Sequence, residues 1–249
     1  MKRLVLNYLV IAVLAVAAVF TSCKKADVSG EFDGIITATV ENGNAFDSKI
    51  ENVVAWTEGT ESQATPAILA KYVNGEFMIE LPATVDDSYL KEIYGSYPAL
   101  KVSNKNAKGT SLNIGAFQSG VCVGDFYHAK KSGIQTEALF VYVDGNVNIT
   151  GSDSQTIINK DPYGNILGEH KYDISYTVSL KKGWNIMYFT EIHSGSSQKT
   201  TTKETVSTNV PEGMKWYFNG PGERTFQPKS ICPIFPPTFQ KLIRVTYTH

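Results

Sequence analysis

The chain has 249 residues, with 23 Lys and Arg set against 24 Asp and Glu, for a formal net charge of −1. That balance leaves no electrostatic footprint for nucleic acid, and arginine is confined to Arg3, Arg224 and Arg244, which argues against phosphate-rich partners. Three cysteines, Cys23, Cys122 and Cys232, are too few for a fold that depends on a disulfide framework.

Residues 1–22 read as a targeting segment. Lys2 and Arg3 supply the positive start, Leu9 to Phe20 is unbroken and apolar, and Thr21 and Ser22 are small. An apolar run of this length falls short of the ~20 residues that span a bilayer. A secretory signal is therefore expected rather than a retained membrane helix. Phe20-Thr21-Ser22-Cys23 resembles a bacterial lipobox, with Phe where Leu is usual, and is similar to the variant in envelope lipoproteins of Bacteroidetes. The resemblance implies cleavage before Cys23, a diacylglycerol thioether on its sulfur and acylation of its new amino group. Several acyl chains on one residue give stable anchoring, so the expected partner is a membrane, held through lipid and not crossed. The expected location is the cell envelope, at the outer membrane. Lys24 and Lys25 stand where surface-exported lipoproteins of this kind carry acids, which favours the periplasmic face. With Cys23 lipidated, Cys122 and Cys232 are the one pair left for a disulfide, the alternative being two buried thiols.

After a polar tether over 23–30, strand-length segments alternate with turn signals. "GIITATVE" places Ile36, Ala38 and Val40 on one side, and "IENVVAWTE" is β-branched and aromatic. "AILAKYVNGEFMIELP" reads as a hairpin about Asn74-Gly75, with Phe77, Ile79 and Leu81 on one face. In "TVDDSYLKEIYG" a short helix is expected, with Asp86 as its cap, Tyr89, Leu90 and Ile93 at helical spacing and Gly95 as its stop. The polar run 104–109 is the best internal boundary. Beyond it come a second hairpin about Asp144-Gly145 and a long strand in which Tyr172, Ile174, Tyr176, Val178 and Leu180 share a face. "WNIMYFTEI" is apolar on both faces and reads as a central strand, "KTTTKETVST" as an exposed one, and "MKWYF" closes the pattern with Trp216 and Phe218 inward. The resulting expectation is an all-β fold, an antiparallel sandwich, meander or barrel with one short helix. Its parts would be a subdomain over 31–103, a meander over 108–218 and a Pro-rich tail over 219–249, the tail being either loop with one edge strand (Ile243, Val245 and Tyr247 alternate) or poorly ordered.

"YVDGNVNITG", "LKKGWNIMYF", the Thr-rich strand and "MKWYF" resemble the C-terminal half of uncharacterised Bacteroidetes envelope lipoproteins, and "NGEFMIELP" with its short helix looks like their N-terminal half. The likeness covers about residues 20–218 and consists of turn and core positions. It implies an envelope-anchored β protein and no particular chemistry.

No catalytic motif stands out. His128, His170, His193 and His249 show no metal-ligand spacing, there is no Cys-x-x-Cys, and Asp144-Gly145-Asn146 is hairpin chemistry rather than a calcium loop. "HSGSSQ" is a Ser/Gly loop and no nucleophile elbow. A triad of His170 or His193 with Asp173 and a serine is disfavoured, and Asp86-Asp87 belong to a helix start. No cofactor is implied. The suggestive enrichment is aromatic: Trp56, Trp184 and Trp216 are candidates for stacking on a ligand such as a sugar ring, with core packing as the favoured alternative. The expectation is a non-catalytic, lipid-anchored envelope protein that binds a glycan or other ligand, or another envelope protein. The alternatives are an adhesin or fimbrial-type subunit assembling by strand addition, disfavoured by the lack of arginine between Arg3 and Arg224, and a secreted hydrolase.

Overall fold

A computed structural model of the chain describes residues 32–57, 68–93, 99–131, 134–196 and 198–220. The fold is all-β. The first strands are β1 (Ile35–Thr39), β2 (Asn52–Thr57), β3 (Ile68–Lys71), β4 (Glu76–Glu80), β5 (Lys91–Glu92) and β6 (Lys101–Val102). Long strands follow: β7 (Lys108–Gln118), β8 (Val121–Lys130), β9 (Gln135–Val143), β10 (Val147–Lys160), β11 (Ile166–Leu180) and β12 (Gly183–Gly195). β13 (Lys199–Ser207) and β14 (Lys215–Asn219) complete the set. Strands β1 and β4 form a two-stranded sheet. The others join one large sheet, in the order β3-β2-β7-β8-β9-β12-β13-β11-β10-β6, with β14 beside β8 and β5 beside β7.

Two buried clusters lie on opposite faces of β9 and β12. Alternation explains how. Phe140, Tyr142 and Trp184 point into the first cluster, where β1 and β4 cover the large sheet with Ile36, Ala38, Phe77 and Ile79. Val141, Val143, Met187 and Phe189 point the other way, joining Ile149, Tyr176, Val178, Leu180 and Val206. Ile93, Leu100, Val102 and Ala107 close this second cluster. The apolar character of 184–192 on both faces is thus a consequence of serving two cores. The polar run 104–109 does not separate two sheets, since β2 pairs with β7 and β6 with β10 across it.

Two expectations are corrected. The helix expected about 86–95 is a single 3₁₀ turn, Asp87–Tyr89. Asp86 does cap it, its carboxylate accepting from the Ser88 amide at 2.9 Å. Helix cannot continue because Leu90 is extended (φ −90°, ψ 135°) and delivers its side chain to the first cluster, whereas Ile93 enters the second. Between them Lys91 and Glu92 pair with Gly109 and Lys108. The threonine-rich strand, expected to be exposed, is an interior strand with buried positions. β13 lies between β12 and β11, antiparallel to the first and parallel to the second, whereas the other strand pairs among the described residues are antiparallel. Val206 is wholly buried and Thr202 is 1% exposed.

Beyond the second cluster, β10, β11, β12 and β13 run on together. From Ser152 to Lys160 nearly every residue of β10 is exposed on both faces. Asp161 closes the β10–β11 turn, its carboxylate accepting from the amides of Tyr163 (2.9 Å) and Asn165 (2.8 Å). The Asn165 side-chain amide, donating to the same carboxylate at 2.8 Å, and these backbone bonds hold its carboxyl below the usual carboxylate range. Among the described residues no helix is long and apolar enough to cross a membrane.

Candidate functional site

One open end of the first core forms a cleft of about 710 Å³, a volume within the roughly 300–1,000 Å³ typical of small-ligand sites. Its position follows from the chain. Ala55 and Thr57 on β2, Ile68 on β3 and Leu112 on β7 share the inner face of the sheet. Opposite them, β4 ends at Glu80 and Pro82 follows, so the chain to Tyr89 leaves the ladder as a loop with one 3₁₀ turn. Pro82, Ala83, Thr84 and Val85 make that wall, with Trp184 at the base and Tyr89 half-buried at the side. The side chains that bring a hydroxyl or carboxylate to the lining are Thr57, Glu80, Thr84, Asp86 and Tyr89. The Asp86 carboxyl is held below its usual range by hydrogen bonds from the Ser88 hydroxyl and amide.

The structure separates the three tryptophans. Trp216 is 7% exposed, stacked between Phe140 (5.8 Å, 13°) and His128 (5.0 Å, 12°), with Phe77 edge-on at 5.4 Å. It is a core residue with no access to a ligand. Trp184 is 8% exposed and donates its indole N–H to the Pro82 carbonyl at 2.8 Å, which ties β12 to the cleft wall. Trp56 also lines the cleft, but alternation turns its ring away from Ala55 and Thr57. The ring lies over Gly115, where a Cβ would come within 2.9 Å of it, and meets Phe117 edge-on. No two tryptophans form an exposed coplanar platform. The cleft is instead an apolar slot with two carboxylates in its lining. Sequence reasoning missed its wall, although Pro82 after an alternating strand marked where the chain must turn.

The histidines form a second constellation. His170, on β11, contacts the Thr200 hydroxyl through Nδ1 and the Thr202 hydroxyl through Nε2 at 3.1 Å. Thr202 Oγ1 is also 3.1 Å from Nδ1 of His193, whose Nε2 lies 3.4 Å from Glu191. Starting from the carboxylate as acceptor, one direction satisfies every link: His193 donates from Nε2, Thr202 donates to His193, and His170 donates to Thr202. The order hydroxyl–imidazole–carboxylate is that of a nucleophilic triad. Thr202, however, is 1% exposed, so its hydroxyl has no path to a substrate. Asp173, the acid of the triad that the sequence disfavours, lies on the other face of the sheet, bonded to Ser154 and Lys171. The chain of bonds fastens three adjacent strands together.

Among the described residues no group of three His, Cys, Asp or Glu side chains is placed to hold a metal. Cys122 is exposed and unpaired, its sulfur 3.6 Å from the Gly124 carbonyl. Cys232 and the lipidation candidate Cys23 lie outside the described residues, as does the tail beyond Gly220. Asp144, at the expected hairpin turn, accepts from the Lys108 amide at 2.8 Å, a turn-fixing role. No family model matches the chain, and comparison with curated proteins and with solved structures finds no match.

Proposed function

We propose that the protein is a non-catalytic, lipid-anchored component of a bacterial cell envelope that binds a small, largely apolar ligand in the cleft between β2, β7 and the 80–89 segment. The observation that carries this reading is the cleft itself: an apolar floor of Ala55, Ile68 and Leu112, a wall in which Pro82, Ala83 and Val85 are apolar, and Glu80 and Asp86 in the lining. An apolar slot selects by burial and a pair of carboxylates by charge, so an amphipathic molecule with a cationic or hydroxyl-bearing end fits best. A sugar held by ring stacking fits less well, because Trp184 and Trp216 are core residues and the Trp56 ring packs on Gly115. The anchor rests on Phe20-Thr21-Ser22-Cys23 and the apolar run before it.

Binding is tested with N-phenyl-1-naphthylamine, an uncharged dye that fluoresces in apolar surroundings. Saturable binding is expected, and Ala83→Trp, an exposed wall position, is expected to weaken it at least tenfold with folding intact. Equal dye binding by both proteins would sink the assignment. The anchor is tested separately by metabolic incorporation of palmitate, expected to vanish in Cys23→Ala.

A further inference from the structure

Among the described residues, β10 is a bare edge from Ser152 onward. Its inner side pairs with β11 throughout, but on its outer side β6 reaches only Ile149 and Thr150. The segment 99–103 covers the strand up to Gly151, where a Cβ would sit 2.6 Å from the Ala99 carbonyl. No described residue pairs with the outer side of Ser152–Lys160. The direction of the free groups can be read from Asn148. Its carbonyl accepts from the Ser103 amide at 2.9 Å, and its amide donates to the Ser103 hydroxyl at 2.8 Å, both on the outer side. Pairing with β11 continues without a shift as far as Asn159. Backbone alternation therefore aims the amides and carbonyls of Ser152, Ser154, Thr156, Ile158 and Lys160 outward.

Exposed edges are normally blunted by charge, proline, bulges or short length. This one is long, and between Asp153 and Lys160 it reads Ser-Gln-Thr-Ile-Ile-Asn, with no charge and no proline. Ile157 and Ile158 are 48% and 49% exposed on its two faces. We propose that this edge pairs antiparallel with the same edge of a second copy of the chain, about a two-fold axis through Thr156. A two-fold axis perpendicular to a sheet pairs residues of like parity, so it matches outward groups with outward groups. Thr156 then faces its own copy, Ser154 faces Ile158, Ser152 faces Lys160, and Asp153 faces Asn159. No like charges meet, each isoleucine gains a cross-strand neighbour, and the two sheets become one.

The test uses the full chain in its host membrane, with Cys122→Ser as background and copper–phenanthroline as oxidant. Residues paired across a two-fold axis in a narrow antiparallel pair have Cα atoms about 5.5 Å apart, within disulfide range. Thr156→Cys is expected to give a band of twice the mass on non-reducing electrophoresis, and Ser179→Cys, an exposed position on β11 away from the edge, is not. Adding Ile158→Pro to Thr156→Cys removes an outward amide and none of the β11 ladder. It is expected to cut the band at least tenfold with an unchanged melting temperature. A Thr156→Cys chain that stays at single mass overturns the proposal. So does a double-mass band that appears only after residues 221–249 are deleted, an outcome that assigns the edge to the chain's own tail.

Discussion

The cleft-bearing end and the far reach of β10–β13 are made of the same element, a long strand, yet differ in what faces them. At the first end β1 and β4 lie over the large sheet, and Phe77, Phe140 and Trp216 meet between the layers. At the other, no described element lies over the sheet, and Ile157, Ile158, Ile166 and Leu167 stand in solvent. Strand propensity extends a sheet, but a second layer is needed before an apolar side chain is buried. Where that layer is missing, polar links such as Thr200–His170–Thr202–His193 hold the strands in register instead.

That contrast sets a scale of expected effects. Trp216→Ala at the layered end is expected to cost about 3–5 kcal/mol, read from the midpoint of urea denaturation; a cost below about 1 kcal/mol would show that the first core does not centre on it. Thr202→Val leaves two imidazole nitrogens without their shared hydroxyl and is expected to cost about 1–3 kcal/mol. Thr205→Val, exposed on the opposite face of β13, is expected to stay within about 0.5 kcal/mol. Equal losses at the two threonines would mean that the histidine chain does not stabilise the unlayered region.

A subtler effect is pH-dependent. Burial against Trp216 pushes His128 down from 6.5 to about 4, only partly opposed by a hydrogen bond to the Met214 backbone. The unfolded chain therefore takes up a proton more readily than the folded one. Stability is full above pH 6.5 and falls as pH drops from there towards about 4. His128→Gln is expected to flatten that part of the stability profile, and an unchanged slope would place the acid sensitivity elsewhere. Smallest of all, Tyr163→Ser at the 91% exposed apex of the β10–β11 turn is expected to shift the melting temperature by a degree or two at most, since an exposed substitution changes stability by about 0.5 kcal/mol or less.

Much of the fold was legible in local pattern. Strict alternation over 172–180 placed Ile174, Tyr176, Val178 and Leu180 on a buried face, and the two-sided apolar run after Gly183 marked a central strand. Alternation also put Trp184 and Trp216 inward. The short helix misled because Asp86 is a real cap while Leu90 and Ile93, helically spaced, are claimed by different cores. Tertiary pairing overrode local propensity there. β13 was opaque for another reason: threonine suits an exposed strand and a polar-bonded interior strand equally well. The cleft was least legible, since its floor and wall come from β2, β3, β7, β12 and the 80–89 segment, which no local period connects.

The parallel pairing of β13 with β11 also fixes an order of assembly. The β10–β11 hairpin closes on itself, but its inner edge has to wait until β12 has passed and β13 has turned back to fill the gap. During synthesis that hairpin leaves the exit tunnel before its neighbour exists, open along both sides. Insertion of β13 closes one side for good, and pairs so distant in sequence form slowly. In pulse-labelled hydrogen exchange, the amides of β11 that face β13 are expected to gain protection together with those of β13, and later than those that face β10.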